Sequence, residues 1–241
     1  MTDGIPPFRL FGADHVAALA LTALAAASSA RLAAARPRGG FTRILRYGLA
    51  LLLLFLDGFE IGMGIRGGWL TLERALPLQL CDLAVFLAAY ALLTLNRRAA
   101  ELLYFWAGSA SLLAMVTPEL RQGFPHWEFL VFFGLHGLVV VASAMLTFGF
   151  GLRPRPGAAN RVFALTAAYA VVILAVNAVL GTNFMYLARK PATPTLVDWL
   201  GPWPLYLLSG AALAYLLFLL LALPFRAART EGSGGGTQRH S

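Results

Sequence analysis

Runs of about twenty apolar residues recur along this chain, with only short polar breaks between them. Seven are drawn at residues 13–34, 42–63, 77–95, 99–117, 127–149, 160–181 and 203–223. A bilayer core about 30 Å thick is crossed by about 20 residues of helix, so each run is long enough to span it. None has a cluster of charges at its centre. The third run opens on Pro77, where a helix start tolerates a residue without an N–H, and the fifth follows Pro125. Pro154, Pro156, Pro191, Pro194, Pro202 and Pro204 mark loops or span ends. The predicted fold class is all-α, a polytopic membrane helix bundle of seven transmembrane helices. Residues 1–229 form this single membrane domain. It shows no internal repeat, so the inverted-repeat architecture of many transporters has no support in the sequence.

Composition agrees with that pattern. Apolar residues make up 59% of the 241 residues, with a mean hydropathy of +0.72, well above the roughly half-apolar make-up of soluble domains. The net charge of +8 would suggest nucleic acid in a soluble chain, yet here the basic residues sit in short loops beside apolar spans. Topology accounts for them and no nucleic-acid partner is expected. One side of a seven-span arrangement holds Arg31, Arg36, Arg38, Arg43, Arg46, Arg97, Arg98, Arg153, Arg155, Arg161, Arg226, Arg229 and Arg239, thirteen in all. The other holds six: Arg9, Arg66, Arg74, Arg121, Arg189 and Lys190. Cytoplasmic loops are enriched in such residues. The first, third and fifth loops and the C-terminus are therefore expected in the cytoplasm, and the N-terminus outside.

The N-terminus carries only Arg9 with Asp3 and Asp14 before the first run, so no cleaved signal peptide is expected. Residues 230–241, beginning TEGSGGG, lack apolar content and are predicted to be a disordered cytoplasmic tail. His240 in that tail is read as solvated. One Lys against eighteen Arg hints at a GC-rich genome, and the expected location is the plasma membrane of a bacterial cell.

Ionisable groups inside spans are costly and usually face a bundle interior or a wet cavity. Here they gather toward the non-cytoplasmic ends. His15 opens the first span, Asp57 and Glu60 close the second, and Cys81 with Asp82 opens the third. Glu119 and Arg121 follow the fourth, His126 and Glu128 open the fifth, and Asn183 and Tyr186 follow the sixth. Bland readings stand beside functional ones: solvation of Asp57 and Glu60 at a span end, helix N-terminal stabilisation for Asp82, a loop ion pair for Glu119 and Arg121.

Cys81 is the only cysteine, which excludes an intramolecular disulfide. It is read one turn into a helix opened by Pro77, where the helix dipole favours a thiolate. A lone membrane cysteine is otherwise a small apolar filler. His136 lies about nine residues past the start of the fifth span, roughly 14 Å along the helix, flanked by Gly134 and Gly137. A lone buried histidine is often just a satisfied hydrogen-bonding partner, but a thiol and an imidazole at the same end make a nucleophile and base pair worth testing. A metal site built from His15, His126, His136, Asp82 and Glu119 is the rival constellation. Its spacings match no compact ligand motif, so no metal and no cofactor is expected.

At these motifs the chain resembles a known family. The runs FGADHVAAL, PLQLCDLA (77–84), TPEL (117–120), FPHWEF (124–129), GLHG (134–137), GLRPRPG (151–157) and LGTNFMYLARKPATPTLVDWLGPWPLY (180–206) look like the YwaF family, also called the transmembrane protein 164 family. The resemblance spans nearly the whole chain in order, omitting only the tail. For the animal branch it implies acyl transfer onto lysophospholipids, through a cysteine acyl-enzyme and a histidine within the bilayer. Those two residues fall on Cys81 and His136.

The expected function is therefore a membrane lipid acyltransferase. In it Cys81 and His136 are the catalytic residues, and membrane phospholipid or lysophospholipid is both substrate and partner. The polar groups at the same end are the candidate substrate-binding residues: Asp82, His15, Glu119, His126, Asn183, Tyr186 and Lys190. The alternative is a proton-coupled or small-solute transporter or binding protein lined by Asp57, Glu60, Asp82 and His136.

Overall fold

The computed structural model describes residues 6–190 and 196–227. Within them, seven helical passages are long and apolar enough to cross a membrane. The first two are the helices α1 (Ala13–Ala35) and α2 (Gly40–Gly67). The third is broken into α3 (Leu72–Ala75) and α4 (Leu80–Thr94). The fourth joins α5 (Arg97–Trp106) to α6 (Leu112–Val116) through a π-helical turn, Ala107–Ser111. The fifth is α7 (Trp127–Ala144), ending in a second π-helical turn, Met145–Gly149. The last two are α8 (Ala158–Leu180) and α9 (Leu205–Ala227). The tail expected over residues 230–241 lies outside the described residues.

Two boundaries differ from the sequence reading. α2 continues to Gly67, where Gly68 caps it at a φ of 67° that an L side chain rarely adopts. The third passage does not begin as a helix at Pro77. Leu76, the residue before the proline, is extended at φ −95° and ψ 123°, because the proline ring disfavours helical geometry in its predecessor. The long helix starts only at Leu80.

The fourth and fifth passages form the centre of the bundle, where Ala100, Leu103, Phe105, Ala142, Met145 and Leu146 are fully buried. The first, sixth and seventh are peripheral. They turn Leu21, Leu24, Val171, Val172, Leu208 and Leu216 outward, which suits lipid as the surrounding solvent. Without a hydrophobic drive between helices in lipid, close approach comes from small residues. α1 lies against the fifth passage at two such points. A Cβ on Gly137 would come within 2.8 Å of Thr22 Oγ1, and one on Gly149 within 2.6 Å of the Ala33 Cβ.

At the end of the bundle where α5 and α8 begin, Glu101 is buried beneath two arginines. It accepts hydrogen bonds from the Arg155 N–H at 2.7 Å, from Arg155 Nε and Nη2 at 3.0 and 2.9 Å, and from Arg161 Nη2 at 3.1 Å. The ion pairs fasten the GLRPRPG loop to α5. At the other end Phe8 N–H donates to the Arg121 carbonyl and Gly123 N–H to the Pro6 carbonyl, so the N-terminal segment lies against the loop that precedes α7.

Candidate functional site

The start of α4 is fixed by a reciprocal cap. The Gln79 side chain accepts the Asp82 N–H, and Asp82 Oδ2 accepts the Gln79 N–H at 3.3 Å. Leu83 N–H donates to the Gln79 carbonyl at 3.1 Å. The N–H groups of Leu80 and Cys81 have no hydrogen bond among the described residues. A helix leaves its first N–H groups without partners inside the helix, and here one of them belongs to Cys81 and one to the residue before it. Gln79 Oε1 also accepts the Met185 N–H at 2.7 Å, tying the loop after α8 to this helix start.

His136 sits midway along α7. Its Nδ1 is 2.9 Å from the Phe132 carbonyl oxygen. A carbonyl only accepts, so Nδ1 carries the hydrogen and Nε2 of the neutral ring keeps its lone pair. The Phe132 ring stacks on the imidazole with centroids 4.3 Å apart and planes 28° apart, fixing its orientation.

α4 packs directly on α7, and Cys81 and His136 line one cavity of about 610 Å³ between them. Cys81 is thirteen residues before Thr94, and His136 thirteen before Gly149. At 1.5 Å per residue both lie about 20 Å from the far ends of their passages, at one level of the bundle. Polar walls come from Asp57, Glu60, Arg74, Asp82, Glu119, Arg121 and Glu128, and Val85, Leu135 and Val139 line it as apolar surface. A second cavity, of about 650 Å³, shares Asp57, Glu60, Arg74, Asp82 and Glu119 with the first and adds Asn183, Tyr186, Arg189 and Lys190.

Of the other residues singled out in the sequence, Asp82 and Glu119 therefore line both cavities, and Asn183, Tyr186 and Lys190 line the second. The Tyr186 O–H donates to Glu119 Oε2 at 2.8 Å. Burial first, then this bond, hold its phenol pKa well above the ordinary value. Asn183 organises its own loop: Oδ1 accepts the Ala188 and Arg189 N–H groups, and Nδ2 donates to the Arg189 carbonyl. Lys190 Nζ donates to the Asp198 carbonyl at 3.3 Å and lies 3.8 Å from its carboxylate.

His15 and His126 line neither cavity. His15 is fully buried, accepts the Phe11 N–H on Nδ1 at 2.9 Å and donates from Nε2 to the Met115 carbonyl at 2.8 Å. Nδ1 thus ties α1 to the segment before it, and Nε2 joins α1 to the end of α6. His126 is the N-cap of α7, its Nδ1 accepting the Glu128 N–H at 3.3 Å. Among the described residues, no three His, Cys, Asp or Glu side chains gather as a metal would require.

The model of the TMEM164 family matches residues 10–222. The chain belongs to the TMEM164 family. The match takes in six passages whole and the seventh as far as Ala222. Neither a curated protein nor a solved structure matches the chain significantly.

Three residues of this TMEM164 family site were not singled out in the sequence. Gln79 had a signal, since a polar residue three before an acid at the head of an apolar run is a capping pattern. Arg74, which lines both cavities and stacks over Trp69 at 4.8 Å, was counted only for topology. Ser111 gave no signal, because its place at the cavity depends on a π-helical turn within a run of small residues.

Proposed function

We propose that this TMEM164 family membrane protein is a phospholipid acyltransferase that works through an acyl-enzyme on Cys81. The observation that carries the reading is the pairing in one cavity of the only thiol with an imidazole whose free nitrogen is Nε2. In the first half-reaction Cys81 Sγ attacks an ester carbonyl of a phospholipid, and its proton passes to His136 Nε2. The tetrahedral oxyanion accepts hydrogen bonds from the unpaired Leu80 and Cys81 N–H groups. Collapse breaks the ester C–O bond, and the leaving glycerol oxygen takes the proton from His136. In the second half-reaction a lysolipid hydroxyl repeats the steps on the thioester and restores the thiol. The cavity lies within the range of ligand pockets. Arg74 and Arg121 supply charge for a phosphate, with Arg189 and Lys190 in the adjoining cavity. Six basic residues on this side against thirteen on the other support a site that faces away from the cytoplasm.

The transporter reading draws on one observation, that Asp57, Glu60, Asp82, Glu119 and Glu128 line the same cavity as His136. Against it, the helices beyond the cavity close on Ala88, Leu92, Ala142 and Met145, all fully buried. Radiolabelled phospholipid incubated with wild type, Cys81→Ser and His136→Ala in nanodiscs separates the two. Acyl transfer by wild type, abolished in both variants, and a hydroxylamine-labile acyl group on Cys81 support the enzyme. Wild-type transfer by Cys81→Ser sinks the acyl-enzyme, and uptake driven by a pH gradient with no transfer favours the transporter.

A further inference from the structure

The π-helical turn between α5 and α6 packs against both α4 and α7. Its last residue, Ser111, is 1% exposed and lines the cavity with Cys81 and His136. It lies fourteen residues after Arg97, or about 21 Å from that end of its passage, the level of the thiol and the imidazole. Its hydroxyl makes no hydrogen bond to any described protein group. Serines and threonines in helices ordinarily bond back to a carbonyl one turn earlier, and the neighbours do so. Ser109 Oγ donates to the Phe105 carbonyl at 2.6 Å and Thr117 Oγ1 to the Leu113 carbonyl at 3.2 Å. Among the described residues the side-chain oxygens buried without a partner are Thr42 Oγ1, Gln122 Oε1 and Thr147 Oγ1. The Ser111 hydroxyl is not one of them, and the surface it keeps belongs to the cavity it lines, where an unpartnered donor is available to a ligand. Single π-turns are frequent at functional sites, and this one ends at the cavity.

We propose that Ser111 is a further catalytic residue, whose O–H donates to the carbonyl oxygen of the lipid ester held at Cys81. This rests on the acyl-enzyme reading above. As the Sγ–C bond forms and the thiol proton moves to His136 Nε2, the carbonyl electron pair moves onto oxygen. Ser111 then donates to that oxyanion beside the Leu80 and Cys81 N–H groups. When the pair returns and the C–O bond breaks, the glycerol oxygen takes the proton from His136. Ser111 keeps its own proton throughout, so its contribution is the hydrogen bond, strongest where charge develops.

The test compares wild type, Ser111→Ala and Ser111→Thr in nanodiscs by the burst of hydroxylamine-labile thioester on Cys81 from labelled phospholipid, with thermal unfolding alongside. Removal of one oxyanion donor lowers kcat by about 100-fold, so Ser111→Ala should slow the burst by that order with KM little changed. Its Tm should stay the same or rise, because no native hydrogen bond is lost. Ser111→Thr, which keeps the hydroxyl, should restore most of the rate. A wild-type burst in Ser111→Ala overturns the proposal. So does an equal loss in the alanine and threonine variants with a lowered Tm, the signature of a packing role. If wild type itself forms no thioester, the acyl-enzyme reading fails first, and the Ser111 proposal falls with it.

Discussion

Replacing Gln79 by alanine removes one side chain that serves two elements. Gln79 caps α4 by accepting the Asp82 N–H, and its Oε1 accepts the Met185 N–H at 2.7 Å from the loop after α8. Loss of a helix cap costs about 1 kcal/mol. Leaving the half-buried Met185 donor without a partner adds about 1 kcal/mol, toward the low end of the range because the adjoining cavity admits water. The expected destabilisation of Gln79→Ala is therefore about 2 kcal/mol by these two contributions. Because the cap is reciprocal, with Asp82 Oδ2 accepting the Gln79 N–H, the two residues form a unit. The Gln79→Ala, Asp82→Ala double variant should be less destabilised than the sum of the singles by about 0.5 to 1 kcal/mol. On the proposed acyl-enzyme, the thioester burst should fall as well. Cys81 is in the first turn of α4, and a displacement of about 1 Å at a reacting centre costs about 100-fold in rate. Unfolding in detergent followed by circular dichroism gives the first quantity, and the thioester burst the second. A stability loss under about 0.5 kcal/mol with an unchanged burst would refute the assignment of Gln79 as the side chain that positions Cys81.

Three further outcomes are expected. Glu101→Ala should lower Tm by roughly 5 °C, since it strips the partner from the Arg155 backbone N–H and from two guanidinium groups; a Tm equal to wild type would show that the loop holds to α5 without it. Tyr186 keeps its proton more tightly folded than unfolded, so its contribution to stability is whole below pH about 10 and is lost as pH rises beyond that. Tyr186→Phe should therefore flatten the alkaline fall in stability, and an unchanged slope would remove Tyr186 as its source. A reporter fused after Ser241 should read as cytoplasmic, from the thirteen-to-six distribution of basic residues; an external readout reverses the orientation of the whole bundle.

The seven passages were legible because each is a run of apolar residues, and such runs report the solvent directly. What lies at the ends of the runs was less so. His15 and His126 look as available for chemistry as His136 does in the sequence. His15 differs in having both ring nitrogens occupied, by Phe11 and Met115. His126, like His136, has its Nδ1 bonded, but it caps α7 outside the cavity that His136 lines. The partners of His15 lie four and one hundred residues away, and only the nearer of them follows from helical spacing. The clamp of Glu101 by Arg155 spans 54 residues and has no local signature.

The depth of the thiol shows how one local rule changes a site. A helix running from Pro77 to residue 95 puts Cys81 about one turn from the membrane surface, while His136 is roughly 14 Å from the start of its own span. The proline instead keeps Leu76 extended, and α4 begins at Leu80. Its fifteen residues rise only about 22 Å, short of a bilayer core of about 30 Å, so α3 and the break before α4 make up the rest of the third passage. Counted from the far end of each passage, Cys81 is thirteen residues before Thr94 and His136 thirteen before Gly149, so α4 begins inside the bundle at the level of His136. A helix start that would normally lie at the interface lies inside the protein, and Cys81 in its first turn, with an unpaired N–H, lines a cavity. Irregular backbone at membrane depth is tolerated only where protein surrounds it or a cavity receives it. A broken third passage is therefore what puts a helix N-terminus and its cysteine on the cavity that His136 also lines.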